Sequence, residues 1–251
     1  MIIKDDHLHY ILTRKEALTE EEIRRMYELM TSNYSDVTLE IFQDDLDKKQ
    51  FIGLIKDVSD RIQGFTTYAV NPAGTGGKDH YIIFSGDTII DPHHWGTQIL
   101  MKGWCYTIGR LIASDHSKNW YWYLLSKGHR TFMYLPLFFK QFYPSPTPAY
   151  AKDELAKIAD ITSTKLYGES WKKELGIIRF DHYHSALKPE LAEATFKKIN
   201  SPFVRFFLEC NPEFHKGDEL VCIAHLHSDN LIRTAREYIL KGMEHPHEFV
   251  L

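Results

Sequence analysis

Residues Phe84 to Leu111 read FSGDTIIDPHHWGTQILMKGWCYTIGRL and join three patterns in one stretch. A strand-like run comes first, Asp91-Pro92 and Gly96 follow as a turn, and an amphipathic helical pattern continues from Thr97. A strand that turns through a glycine-containing loop into a helix presents unpaired backbone N–H groups at the positive end of that helix. The stretch therefore predicts a seat for a phosphate group at the turn.

The flanking sequence predicts a sheet whose strands are mostly antiparallel. Periodicity and turn residues predict strands at residues 6–13, 51–58, 62–70, 81–90, 119–125, 203–210 and 219–226. Helices are predicted at residues 19–34, 38–46, 131–143, 150–170, 189–199 and 230–240, besides the one that begins at residue 97. Because a helix connects strands 81–90 and 119–125, we expect these two to pair in parallel by a right-handed crossover and to splay into a cleft.

Local signals support several of these boundaries. Thr19 and Glu22 form a capping-box pattern, Ser59-Asp60 suits a hairpin, and Pro136 predicts a kink in its helix. The sequence GTGG at residues 74–77 is interpreted as a loop between strands, because a strand rather than a helix follows it.

Composition narrows the class of protein. The chain has 251 residues, of which 43% are hydrophobic and 25% charged, and its net charge of -4 gives no electrostatic support to nucleic-acid binding. No apolar run is long enough to predict a membrane span, and the N-terminus lacks a signal-peptide pattern. Three cysteines without CxxC spacing favour reduced thiols, so we expect a cytoplasmic protein.

This order of elements, with the strand, turn and helix of residues 84–111 at its centre, resembles the GNAT acyltransferase superfamily over residues 8–143 and 203–227. The resemblance implies a mixed α/β fold with a mostly antiparallel sheet, splayed at a central V and flanked by helices. It implies one domain over residues 1–251, with a helical insertion at about 144–200 before the last two strands. The stretch KGHRTFMYLPLFFKQFYP at 127–144 is similar to a GNAT-like branch that uses larger, often fatty, acyl groups.

The resemblance also implies how the acyl donor binds. In GNAT enzymes the loop carries Gln or Arg, two residues, Gly, one residue and then Gly or Ala, and its amides hold the pyrophosphate of coenzyme A. Here Gly96 matches, while His93 and Gln98 replace the first and last residues of the pattern. The implied donor contacts are Ile90, His93, His94, Trp95, Gly96, Thr97 and Gln98, with Ser126 on the pantetheine arm. The donor is an acyl-CoA or an acyl-phosphopantetheine on a carrier protein, and the sequence leaves both open.

Acyl transfer from a thioester to an amine needs an oxyanion donor, a base and an acid. The family places a backbone N–H near Ile89 and Ile90 for the oxyanion, and a general-acid tyrosine at the position of Tyr134. Asp87 is the carboxylate nearest the proposed centre, on the same strand face as Ile89 by alternation, and is the candidate base. Ordinary alternatives are a hydrogen-bonded strand residue for Asp87, a core aromatic for Tyr134 and a helix-capping loop residue for Ser126.

The histidines suggest a metal only weakly. HxH pairs occur at His7/His9, His182/His184 and His225/His227, but none has a spaced third ligand, so we predict no metal. The leading hypothesis is an N-acyltransferase that moves an acyl group directly to an amine on a small molecule or peptide. The alternatives are a non-catalytic acyl-CoA-binding module, which the altered loop favours, and a histidine-based metal hydrolase.

Overall fold

A nine-stranded sheet forms the centre of the computed structural model, which describes residues 3–5, 7–73, 80–147, 153–180 and 186–246. The strands are β1 Ile3–Asp5, β2 Leu8–Arg14, β3 Phe51–Asp57, β4 Ile62–Pro72, β5 His80–Ile90, β6 Asn119–Ser126, β7 Trp171–Lys172, β8 Ile177–Ile178 and β9 Glu219–His225. Their order across the sheet is β1-β2-β3-β4-β5-β6-β9-β8-β7. The GTGG loop and the His182/His184 pair lie outside the described residues.

Helices are packed on the sheet and follow the sequence signals closely in most places. They are α1 Glu20–Asn33, α2 Leu39–Leu46, α3 Ile99–Ser114, α4 His129–Phe132, α5 Tyr134–Phe138, α6 Asp153–Tyr167, α7 Pro189–Phe196, α8 Pro202–Cys210 and α9 Arg233–Met243. The predicted capping box is present at α1, where the amide of Glu22 donates to Thr19 Oγ1 at 3.2 Å and the Thr19 amide donates to Glu22 Oε2 at 2.9 Å. At α2 the amide of Ile41 donates to Thr38 Oγ1 at 3.2 Å, without a reciprocal side-chain bond.

Strands β5 and β6 form the one parallel pair among the described strands, as the crossover predicts. Their pairing begins at His80 opposite Asn119 and ends at Phe84 opposite Tyr123. Beyond that point β6 stays paired with β9 as far as Ser126, while β5 stays paired with β4. The two strands therefore diverge and open a V in the sheet. The predicted fold class, a mixed α/β fold with a mostly antiparallel sheet, is confirmed.

Helix α3 lies against this sheet and is buried along most of its length. Two glycines bring it close to α9, because a Cβ atom at Gly109 would overlap the carbonyl oxygen of Ile239 and one at Gly242 would overlap that of Tyr106. Such a close backbone approach is open only to glycine. The second half of α3 is thus held closely against α9.

Two sequence predictions were wrong. Residues 203–210, predicted as a strand, form helix α8, in which Val204 and Phe207 are buried one turn apart and Pro202 occupies the first turn. Only β9 therefore follows the predicted insertion as a strand. The predicted helix 131–143 is instead two short helices that end at Phe138. The chain then extends, because the amide of Tyr143 donates to the carbonyl of Ile223 in β9 at 2.8 Å.

Candidate active site

A cavity of about 840 Å³ opens where β5 and β6 diverge. The end of β5, the loop after it, the first turn of α3 and the chain from Gly128 to Phe138 form most of its wall. The predicted site residues that line it are Ile89, Ile90, His94, Trp95, Gly96, Thr97, Gln98 and Tyr134. Residues far apart in the sequence therefore meet in one cavity, as the family resemblance implies.

The loop between β5 and α3 has the geometry of an anion seat. Asp91 Oδ1 accepts from the amide of His93 at 3.0 Å and starts a single 3-10 turn at Pro92–His94. Gly96 has a φ of 96°, a left-handed conformation that favours glycine. Thr97 Oγ1 accepts from the amide of Ile99 at 3.2 Å, while the next amides of α3 have no partner within the helix. These amides carry the positive end of the helix dipole at the cavity wall.

His93 and Ser126 do not line the cavity. The His93 side chain is 90% exposed, and its Nδ1 lies 2.8 Å from Asp91 Oδ1. Ser126 is fully buried at the end of β6, and its hydroxyl lies 3.7 Å from the sulfur of Cys222 on the neighbouring strand. Their contacts with the acyl donor stay predictions, and the position of neither side chain supports them.

A β-bulge interrupts the regular alternation of side chains between the two faces of β5. The register between β4 and β5 shifts at this point, and Asp87 has a φ of 39°. Ser85 accepts from the indoles of Trp104 and Trp122 on the α3 face, and Thr88, three residues later, lines the cavity on that face. The extra residue is Asp87, whose side chain lies on the opposite face, beside Lys49.

The backbone of Ile90 points into the V. The amide of Asp91 donates to the carbonyl of Gln63 in β4 at 2.8 Å, so Asp91 points toward β4. Successive residues of a strand point their N–H and C=O groups alternately to one side and to the other. The carbonyl of Ile90 accordingly turns away from β4 and accepts from Trp95 Nε1 at 3.2 Å. Its N–H group therefore points to the same side, toward the gap between the diverging strands.

Tyr134 stands across the cavity from this strand, at the start of α5. Its ring packs against Phe138 with 5.3 Å between ring centroids. Burial raises the pKa of its hydroxyl above the ordinary value, so the group stays protonated at neutral pH. Among the described residues, the hydroxyl has no hydrogen-bond partner in the protein, which leaves it able to donate to a ligand.

Asp87 lies in a set of buried charges beneath the bulge. Its side chain is 17% exposed and its Oδ2 lies 3.7 Å from the ammonium of Lys49. Burial is the main cause that raises its pKa to about 7, against the opposing effect of Lys49. A carboxyl group with this pKa can accept a proton near neutral pH.

The charges that line the cavity are all positive among the described residues. Arg130 places its guanidinium 4.0 Å from the centroid of the exposed Trp95 ring, and Lys198 lies on the wall contributed by the predicted insertion. His129, also on the wall, is neutral near pH 7, because burial and the two nearby cations lower its pKa to about 4. A cavity lined by cations in a chain of net charge -4 suits an anionic ligand.

Sequence reasoning missed Arg130 and the residues of the insertion. The run Lys127-Gly128-His129-Arg130 directly after a buried strand was the signal for Arg130. Leu187 and Leu191 line the cavity because residues 186–188 pair with the end of α1, where the amide of Ser35 donates to Ala186 and that of Lys188 donates to Asn33. No local pattern indicates that contact.

The remaining histidines lie elsewhere. His225 stacks on Tyr121 and His227 stacks on His225 beside a separate cavity of about 590 Å³ at the start of β5 and β6. Within the described ranges, no group of three or more His, Cys, Asp or Glu side chains could hold a metal ion. Nor is any helix of the described chain long and apolar enough to cross a membrane.

Similarity to known proteins is found among solved structures. No family model and no curated protein matches the sequence. Among solved structures, Rv2747 from Mycobacterium tuberculosis in complex with CoA and NLQ is similar at 12% identity and a TM-score of 0.42, over 86% of this chain and 99% of that one.

Two further structures show the same degree of likeness. A probable N-acyltransferase from Enterococcus faecalis V583 has 12% identity and a TM-score of 0.40, over 53% of this chain but only 33% of that chain. The GNAT family N-acetyltransferase YhbS from Escherichia coli, in complex with CoA, has 10% identity and a TM-score of 0.38, over 54% and 72% of the two chains. At these values the likeness concerns the fold alone.

The architecture of this chain itself shows its fold. The mostly antiparallel sheet, the parallel pair β5–β6 that diverges into a V, and the strand-to-helix loop at that V are the features that the resemblance implies. The chain has the fold of the GNAT-superfamily acyltransferases.

Proposed function

We propose that this protein is an N-acyltransferase that moves an acyl group from an acyl-CoA to an amine. The observation that carries the proposal is that one cavity joins the anion seat at the start of α3, the inward N–H group of Ile90 and the hydroxyl of Tyr134. These are the groups that thioester aminolysis needs for donor binding, oxyanion stabilisation and protonation of the leaving thiolate.

The residues present fit the phosphates of coenzyme A. The left-handed Gly96 leaves open space where a Cβ would stand, and Gln98, Leu100 and Met101 at the start of α3 line the cavity. Arg130 and Lys198 add two cations, and no carboxylate among the described residues lines the wall. We propose acyl-CoA rather than a carrier-protein donor because the phosphates of free coenzyme A carry more negative charge than the single phosphodiester of a carrier-protein arm, and the cavity offers two cations to pair with it.

The groups that take part in the proposed reaction lie on both faces of the sheet at the V. The amine nitrogen attacks the thioester carbonyl carbon, and the carbonyl electron pair moves to oxygen, where the N–H of Ile90 stabilises it. Asp87 does not line the cavity, and we propose that it receives the proton of the nitrogen through one intervening water. When the carbon–sulfur bond breaks, its electron pair leaves with sulfur, and Tyr134 donates a proton to the thiolate. No covalent enzyme intermediate forms.

Apolar side chains from the insertion support a long acyl group. Leu187 and Leu191 of the insertion and Val204 of α8 line the cavity. We propose that a fatty acyl chain lies along them. We also propose one domain, with the insertion as part of the site, in a cytoplasmic protein, which the three free thiols of Cys105, Cys210 and Cys222 support.

The test measures donor binding and transfer separately. Acyl-CoA thioesters of increasing chain length and the corresponding acyl carrier proteins are offered with a panel of amines, and released thiol is recorded. We expect transfer from acyl-CoA and a loss of CoA affinity of about tenfold in Arg130→Met, as removal of one charge-assisted contact predicts. Lys140→Met is the matched control, because Lys140 bonds to the Asp229 carbonyl away from this cavity.

Three results would count against the proposal. Absence of both binding and transfer with every donor would refute it. Transfer from carrier proteins alone would refute the donor assignment. Tight CoA binding without acylation of any amine would instead indicate a binding module.

A further inference from the structure

The carboxyl group of Asp87 does not stand alone beneath the bulge, and its neighbours come from a different part of the chain. We infer that Asp45 and Lys49 are positioning residues that hold the Asp87 carboxyl group in place and control its charge state. The inference rests on the proposed function, in which Asp87 is the base. It adds two residues, in and just after α2, that no feature of the sequence pointed to.

Lys49 joins α2 to the bulge. Its side chain is only 2% exposed, and its Nζ donates to Asp45 Oδ2 at 2.6 Å while lying 3.7 Å from Asp87 Oδ2. The same ammonium lies 5.1 Å from the ring centroid of Phe84 on β5. A buried ammonium is stable only when carboxylates and ring faces surround it. Lys49 is therefore an ion-pair partner of both carboxyl groups.

The two positioning residues act on Asp87 in opposite directions. Burial raises the pKa of Asp87 to about 7, Lys49 lowers it, and the negative charge of Asp45 and a hydrogen bond with Asp45 raise it. The pKa of Asp45 is lowered, although burial opposes this, and that of Lys49 is raised by both carboxylates against its own burial. Asp45 and Lys49 thus stay charged while Asp87 is the member that titrates near neutrality.

Other elements also face Asp87, and they complete its surroundings. Lys127, after β6, contributes a positive charge and is itself 3.1 Å from Glu219 Oε1 at the start of β9. Tyr34 at the end of α1 and Tyr167 at the end of α6 have pKa values raised mainly by burial, so both remain neutral. These four groups are the same in every variant below, so a difference between variants reports on Asp45 and Lys49.

The experiment follows the Asp87 carboxyl group directly and through catalysis. In the intact protein labelled with ¹³C at aspartate carboxyl groups, NMR gives the titration of each, and Asp87→Asn identifies the resonance. The pH dependence of kcat/KM is measured with methoxyamine as acceptor, because this weakly basic amine does not itself titrate near pH 7. The variants are Asp45→Asn and Lys49→Met. Asp47→Asn is the control, since Asp47 pairs with Lys15 at the exposed end of α2.

We expect Asp45→Asn to move both the Asp87 titration and the rising limb of kcat/KM to lower pH by about one pH unit, as loss of one nearby charge predicts. Lys49→Met moves both to higher pH, and Asp47→Asn leaves both in place. Equal behaviour of Asp45→Asn and Asp47→Asn would overturn the inference, even if Lys49→Met did not fold. NMR shifts of the expected sign in a protein that acylates no amine would refute the proposed function while the coupling stands.

Discussion

The clearest test of the proposed chemistry is Tyr134→Phe, because it removes one oxygen and leaves the packing intact. The phenylalanine ring keeps the contact with Phe138, whose centroid is 5.3 Å away. The lost hydroxyl has no protein partner among the described residues, so no buried group loses a hydrogen bond. We therefore expect the free energy of unfolding to change by less than about 1 kcal/mol.

The effect on catalysis is expected to be much larger. Burial keeps the Tyr134 hydroxyl protonated, and a positioned general acid contributes about 100-fold or more to rate. A 100-fold loss in kcat corresponds to about 2.7 kcal/mol in the transition state. The assay records thiol release from acyl-CoA at saturating amine. Tyr106→Phe is the control, because Tyr106 lies on α3 near His245 and does not line the cavity.

A second substrate separates proton donation from ring position. An acyl thioester whose leaving thiol is more acidic needs less protonation as the carbon–sulfur bond breaks, so Tyr134→Phe should lose far less rate with it. If the variant loses equal rate with both thioesters, Tyr134 only shapes the cavity. If it retains nearly full kcat with acyl-CoA, the acid assigned here is wrong.

Individual contacts determine the expected effects of four further substitutions. Gly96→Ala forces a side chain into a φ of 96°, at a cost of about 1 kcal/mol, and should weaken acyl-CoA binding about fivefold by calorimetry. Gly109→Ala should lower the free energy of unfolding by about 1–3 kcal/mol in urea, since its methyl group would overlap the carbonyl of Ile239. Leu191→Trp should fill part of the cavity and abolish transfer of long acyl chains while sparing acetyl transfer. The Asp87 carboxyl group binds its proton more tightly in the folded protein, where its pKa is about 7, than in the unfolded chain, where it is about 3.9. The stability of the wild type, and with it the Tm, should therefore fall as pH rises from about 4 to 7. Asp87→Asn should remove this fall.

Matched variants test whether these effects are local. Gly168→Ala places a side chain at another left-handed position with open space around it, and should strain the chain without changing donor affinity. Leu175→Trp adds the same bulk to an exposed position and should leave the chain-length profile unchanged. Equal effects from test and control variants would contradict the placement of Gly96 and Leu191 at the site.

Sequence reasoning succeeded where short-range signals determine structure. The Thr19 cap, the hairpin at Ser59-Asp60 and the strand-to-helix loop each depend on residues within one or two turns of each other. It failed at residues 203–210, where aromatic and β-branched residues favour a strand by propensity. There the burial of Phe207 in the aromatic core, with Val204 buried one turn earlier, stabilises a helix instead, because tertiary packing outweighs a preference of this size.

The same limit applies to the site. The residues of the donor loop are contiguous and were predicted together, whereas Leu187 and Lys198 reach the cavity only because the insertion pairs with the end of α1. Lys49 could not be predicted, since its role depends on α2 lying over the bulge in β5. Contacts between elements that are distant in the sequence leave no local pattern, whether they are 38 residues apart, as Lys49 and Asp87 are, or 151, as Ser35 and Ala186 are.

One inserted residue in β5 accounts for the division of charge at the V. In a regular strand Ser85 and Thr88 would face opposite sides, but the bulge places both on the α3 face and turns Asp87 toward α2. The donor cavity thereby holds cations without a neighbouring carboxylate among the described residues, while the base stays in a separate set of buried charges. Were Asp87 on the cavity face, its negative charge would oppose the phosphates, and Arg130 would lower its pKa and weaken it as a base. The bulge thus lets a single strand serve an anionic donor on one face and a proton acceptor on the other.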